Sequence, residues 1–166
     1  MSEAPVLDER IRGMLEETVI IRVATVTPKG RPHVAPFWFW CDGERIVITT
    51  LRNQTVRNLE ADPHVAVLVD LGTDFRDLRG AQIRGRATVY REGQPSPEVV
   101  DRARAEIDRI HAAELEEPEF ERYQAWEGRE PIALEILPES ATWFDLGRSE
   151  MGRTGPGAGA IHPQRE

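Results

Sequence analysis

The chain has 166 residues and a formal net charge of −8, enough for one domain with one sizeable core. That acidic balance argues against a surface that tracks phosphates, and so against nucleic acid as a partner. No run approaches the roughly 18 apolar residues of a membrane span, the N-terminus lacks a signal-peptide pattern, and the lone Cys41 allows no intrachain disulfide; a soluble cytoplasmic protein is expected.

Leu7, Ile11, Met14 and Leu15 repeat at helical spacing and predict a helix over about 6–17. The β-branched run 19–26 predicts a strand. T-P-K-G at 27–30 is a turn, with proline early and glycine late. A second strand is expected from Pro32 to Trp40. His33, Ala35, Phe37 and Phe39 lie on one face, and Val34, Pro36, Trp38 and Trp40 on the other. Both faces are largely apolar, whereas a sheet with one wet face alternates apolar and polar. Each face therefore needs a cover, one the core and the other a ligand or a second subunit. Asp42-Gly43 is a hairpin turn, followed by a third strand over 45–50.

Asn53 is placed to cap a helix over 54–61, which Pro63 stops. His64–Asp70 reads as a buried strand and 71–78 as a loop. Arg79–Arg91 reads as a long strand, with Gly80 and Gly85 as bulge or bend sites. Ser96 and Pro97 start another helix whose buried stripe is Val100, Ala103, Ile107 and Ile110. A short helix over about 120–126 and strands over 131–137 and 141–146 complete the fold. The glycine- and proline-rich segment 149–166 is expected to be a disordered tail behind a barrel domain of residues 1–148. Seven or so short strands with few helices argue for a closed or partly closed antiparallel barrel, mostly β with peripheral helices.

Four constellations carry chemical meaning. Thr49, Thr50, Arg52, Asn53, Gln54 and Thr55 run into the 54–61 helix, where hydroxyls, amides, an arginine and free N–H groups can donate to a phosphate; they also read as an ordinary capped helix. Phe37 to Trp40 can wall a planar ring, or fill a core or an interface. Gln82 is a polar residue in a long strand, available to a heteroaromatic edge or to solvent. Trp143 and Arg148, near the end of the last strand, can close a pocket or simply pack and be solvated. The four histidines show no metal-binding spacing, and Cys41 has no evident neighbouring base.

The stretches A-T-V-T-P-K-G-R-P-H-V-A-P-F-W-F, I-T-T followed by V-R-N-L-E-A-D-P, L-R-G-A-Q-I-R-G-R-A and T-W-F-D-L-G-R, in this order over 18–148, resemble the pyridoxamine 5′-phosphate oxidase-like superfamily. That resemblance implies a split antiparallel β-barrel and a homodimer with cofactor sites at the subunit interface. It implies FMN, coenzyme F-420 or, in some members, haem as ligand, and a flavin- or deazaflavin-dependent oxidoreductase acting on a small organic substrate. A non-catalytic binding protein of the same fold is the alternative. By the resemblance, Pro36, Phe37 and Trp38 run along the ring, Thr49 and Thr50 lie near the ribityl chain and phosphate, and 52–55 form the phosphate loop. Gln82, Trp143 and Arg148 match the second wall, on the same chain or its partner. One departure stands out: many relatives carry an arginine-lysine or serine-lysine pair just before the helix, and here the pair is Gln54-Thr55. Arg52 or Arg57 would have to replace the missing lysine. Lys29 is the only lysine among 21 Lys and Arg residues; this bias, with the resemblance, leans the expectation towards the deazaflavin, with FMN close behind.

Overall fold

The computed structural model describes residues 5–91, 93–94, 96–114 and 131–156. Helix α1 (Glu9–Glu16) starts at Asp8, whose carboxylate accepts the Ile11 N–H at 2.9 Å, a standard N-cap. Its buried residues Ile11, Met14 and Leu15 are the ones the spacing selects. Strand β1 (Ile20–Val26) turns through Gly30, at φ 73°, into β2 (Pro32–Trp38). The predicted second strand is shorter than expected. It stops at Trp38, Phe39 drops into the core, and Trp40–Cys41 forms a separate β3 against β4 (Ile46–Thr50).

Helix α2 (Gln54–Ala61) has the predicted bounds, with Asn53 accepting the Val56 N–H at 3.0 Å. Strands β5 (His64–Leu71) and β6 (Arg79–Arg91) follow, then α3 (Glu98–Glu114). Helix α3 begins one residue after Pro97; the Ser96 hydroxyl is not a cap but bonds the Asp101 carboxylate at 3.0 Å. The segment expected as a helix over 120–126 lies outside the described residues.

Two expectations near the C-terminus are corrected. The strands predicted at 131–137 and 141–146 are one strand, β7 (Ile132–Asp145). Its register against β6 shifts so that Arg84 faces Ser140 and Gly85 faces Pro138, leaving Glu139 as the extra residue of a bulge. A Cβ on Gly85 would sit 2.2 Å from the Leu137 carbonyl oxygen, so the bend needs glycine. The tail expected to be disordered from 149 instead forms β8 (Glu150–Thr154), paired with β7; residues 157–166 lie outside the described residues.

The eight strands of the described residues form one antiparallel sheet in the order β2-β1-β5-β6-β7-β4-β3, with β8 beside β7. The bulge divides the free edge of β7. Its first half pairs with β4 and its second half with β8. The sheet curls so that β2 and β4 approach without pairing, which makes the barrel split and not closed. Inward residues such as Val23, Ile48, Val67, Ile83 and Leu134 fill it, with Val56 and Leu59 of α2 and the apolar stripe of α1 joining the same core. Helix α3 covers the opposite surface of β4 and β7, where Val47 and Ala133 are fully buried beside Val100, Ala103 and Ile107. Among the described residues no helix is long and apolar enough to cross a membrane.

Candidate functional site

Strand β4 ends at Thr49 and Thr50, and the chain then passes through Leu51–Asn53 into α2. Thr49 and Thr50 are successive strand residues, so they point to opposite faces of the sheet. Asn53 uses both ends of its amide: its oxygen caps Val56, and its nitrogen donates to Thr50 Oγ1 at 2.9 Å. The Gln54 amide nitrogen donates to Asn58 Oδ1 at 2.7 Å, and Asn58 donates in turn to Thr25 Oγ1 at 2.9 Å. The Gln54 oxygen accepts from Arg57 at 2.9 Å. Thr55 is only 1 % exposed, and its hydroxyl lies 3.2 Å from His33 Nε2. The polar residues of α2 thus stitch the helix to β1 and β2. This satisfies buried Asn58, Thr25 and Thr55, whose groups would otherwise be costly to desolvate.

The pair that replaces the usual basic residues is therefore structural: Gln54 and Thr55 bond within the chain. Arg57, one of the two candidate replacements, is held by Gln54. Arg52 is exposed and makes no hydrogen bond or ion pair among the described residues. His33 and Asn58 were not singled out from the sequence. The signals were there in part: His33 shares its strand face with Phe37, and Asn58 follows Gln54 by four positions, one turn of helix on.

The aromatic strand divides by parity. Phe37 is half-buried and packs on the core, with His33 and Ala35 on its face. Pro36 and Trp38 face outward with Val34; Trp38 is 39 % and Val34 64 % exposed. The expected ring-binding set Pro36, Phe37 and Trp38 is thus split between two faces. Gln82 lies on the outer face in the row Pro36, Arg22, Leu68, Gln82. It is three strands from Pro36, about 14 Å at a spacing of about 4.8 Å, and accepts from Arg84 at 3.3 Å.

Trp143 points the other way, into the core. The Arg10 guanidinium lies 3.7 Å from the ring centroid, and a Cβ on Gly152 would come within 2.7 Å of the indole. Strand β8 and α1 therefore seal Trp143, which is not an open wall in one chain. Arg148 is exposed in the β7–β8 turn, where its N–H donates to Asp145 Oδ1 at 3.1 Å. The chain thus brings together Thr50, Asn53, Gln54, Thr55 and Arg57 with His33, and keeps Gln82, Trp143 and Arg148 apart from them.

Cys41 is half-buried, and burial holds its thiol above the ordinary range, opposed by the Gly43 N–H that donates to its sulfur. A raised thiol is a weak nucleophile at neutral pH. Among the described residues no three His, Cys, Asp or Glu side chains converge to hold a metal.

An open barrel with a capped helix beside the gap between β2 and β4 defines the class: a split antiparallel β-barrel. The chain belongs to the pyridoxamine 5′-phosphate oxidase family, whose sequence model matches residues 7–130. No curated protein matches the sequence. Solved structures agree in fold. A haem-binding protein from Mycobacterium smegmatis shows 19 % identity and a TM-score of 0.69 over 93 % of this chain and 60 % of its own. This chain therefore spans less than two thirds of that protein's length. A pyridoxamine 5′-phosphate oxidase-related, FMN-binding protein from Nostoc punctiforme shows 16 % identity and a TM-score of 0.64 over 93 % and 95 % of the two chains. The haem storage protein HutZ from Vibrio cholerae shows 17 % and 0.60 over 80 % and 90 %. At these identities the likeness is one of fold.

Proposed function

We propose that this protein binds a flavin-type redox ring, coenzyme F-420 or FMN, and uses it to reduce a small organic substrate. The observation that carries this reading is membership of the family over residues 7–130, together with an exposed apolar row, Val34, Pro36 and Trp38, at the sheet edge beside the barrel gap. A bound ring of this kind supplies the hydride chemistry itself. The chain's part is to hold the ring flat, place a substrate against it and keep water out. Pro36 and Trp38 would line the ring, and the Thr49 and Thr50 hydroxyls would meet a polyol chain. No side chain is nominated as acid or base. Gln82 and Arg148 are exposed away from β2 and are free to face a second copy, whereas Trp143 is sealed in its own core. A homodimer is therefore part of the proposal.

A second reading is a binding protein of the same fold that holds flavin, deazaflavin or haem without turnover. The closed hydrogen bonds of Gln54 and Thr55 favour it, since they remove the usual anchor for a phosphate. The test is a spectrum of the purified protein alone and after adding FMN, F-420 or haem, followed by reduction and addition of candidate acceptors. Acceptor-dependent reoxidation of a bound flavin supports the enzyme. Tight binding without reoxidation supports the carrier. No spectral change with either flavin removes the first reading.

A further inference from the structure

The outer face of the sheet changes character from β2 to β8. Over β6, β7 and β8 it is basic. Arg84 and Arg86 stand on β6 with the buried Gly85 between them, so both point outward, and both are exposed. Arg84 faces Ser140 on β7. In the next row Gln82 faces Thr142, which faces the exposed Arg153 on β8. We infer that this face binds a small molecule carrying two anionic groups, phosphates or carboxylates, among Arg84, Arg86 and Arg153.

The observation that carries the inference is how the guanidiniums are held. Arg84 donates to the Gln82 amide oxygen at 3.3 Å, and Arg86 Nη1 lies 3.0 Å from His64 Nε2. His64 Nδ1 is 2.6 Å from the Asp62 carboxylate. A guanidinium has only N–H donors, so His64 accepts from Arg86 at Nε2 and donates to Asp62 at Nδ1, as a neutral imidazole. Neutral acceptors thus orient both arginines and leave their charge unspent, with Asp62 on the far side of His64. Arg153 makes no hydrogen bond or ion pair among the described residues, and none of the three arginines pairs with a carboxylate there. Elsewhere on the sheet the arginines are neutralised: Arg22 pairs with Asp70 and Arg45 with Glu135. The Gln82 amide nitrogen and the Ser140 and Thr142 hydroxyls add donors to the same patch.

On a chain of net charge −8, cations gathered on one face attract anions that the rest of the surface repels. Three of them are too few for a surface that tracks a nucleic-acid backbone. Arg84 and Arg86 are two strand residues apart, about 6.7 Å, and Arg153 is two strands from Gln82, about 9.6 Å. A ligand with two anionic groups matches that spread. Arg84 is three strands from Val34, about 14 Å, so this inference does not depend on the ring-binding reading.

The experiment is calorimetric titration of the full chain near neutral pH with pyrophosphate and with citrate, each at a matched ionic strength of about 0.15 M. Saturable binding tighter than about 1 mM is expected for at least one of them, and the tighter probe names the anionic group. No saturation by about 1 mM with either overturns the inference. Arg84→Gln and Arg153→Gln, at exposed positions and with folding checked by circular dichroism, should each weaken the tighter probe about three- to tenfold, the scale of partly screened charge-assisted hydrogen bonds. Arg109→Gln, which removes an exposed arginine from α3, should leave it unchanged. If Arg109→Gln weakens binding as much as the other two, the anion follows net charge and not this patch, and the inference falls.

Discussion

The sheet has two outward surfaces, and they are treated differently. Over β4 and the first half of β7, helix α3 lays Val100, Ala103 and Ile107 on Val47 and Ala133, and both faces of these strands are buried. The one buried carboxylate there, Glu135, accepts from Arg45 at 3.0 Å and from the Tyr90 hydroxyl at 2.9 Å. Over β2, β1 and β5 nothing of the described chain lies outside the sheet. Ile20, Val26, Val34 and Trp38 are exposed there, around an ion pair between Arg22 and Asp70. This face is an apolar patch exposed on the sheet. The contrast is between a sheet surface left open to solvent and one buried on both sides.

The sharpest way to break that comparison is to cut a side chain on each half. Ile107→Ala removes buried methylenes between α3 and the sheet and should cost about 2–5 kcal/mol in urea denaturation. Val34→Ala, on the bare surface, should stay within about 0.5 kcal/mol under conditions where the chain is monomeric. Equal losses at the two positions would mean that the surfaces do not differ.

A smaller effect comes from β8. Truncation after Ser149 removes the strand whose Gly152 lies on the Trp143 indole and whose Thr154 hydroxyl donates to the Val6 carbonyl. A loss of about 1–3 kcal/mol is expected, with a red shift of tryptophan emission as the ring is uncovered, as for removal of a packed contact. Unchanged stability and emission would show that β8 is dispensable. This strand was not legible in the sequence because E-M-G-R-T has no apolar alternation. Its reason for ordering is a long-range contact in which glycine is the part that fits.

What was legible follows the same logic. Helix α2 and strand β6 have the predicted bounds because their signals are local: Asn53 and Pro63 for one, a glycine-punctuated run for the other. Strand β7 read as two because Pro138 looks like a stop, yet the bulge at Glu139 carries the strand past it. The loop 52–55 reads as a polar cluster at a helix start, but the partner of Thr55 is His33 on β2, and Gln54 reaches Thr25 on β1 only through Asn58. Spacing could show that the polar groups were there, and only the fold could show that they already had partners.

The bare half invites a third test. Val34→Asp puts a charge into the exposed apolar row. If two copies meet on this face, sedimentation should show the dimer weakened by at least about tenfold, or about 1.4 kcal/mol, with monomer stability changed by less than about 0.5 kcal/mol. A dimer of undiminished strength would move the interface to another surface.

The smallest expected effect concerns alkaline pH and should fall on the covered half alone. Cys41, on β3, has its thiol raised above its ordinary range by burial, then lowered in part by the Gly43 N–H, with Asp42 raising it further. Tyr90, on β6 beside β7, has its phenol raised above its ordinary range by burial and then by the hydrogen bond to Glu135. In both cases folding favours the protonated, neutral form. The stabilisation is therefore fully present below the unfolded values and is lost as pH rises through the folded ones. The melting temperature should fall from about pH 9 upward, where cysteine and then tyrosine begin to ionise in the unfolded chain. Cys41→Ala should flatten the first part of that fall, and Tyr90→Phe the part above pH 10, whereas Trp38→Ala on the bare half should leave the slope unchanged. An alkaline slope that survives both Cys41→Ala and Tyr90→Phe would place the sensitivity elsewhere and remove this distinction between the halves.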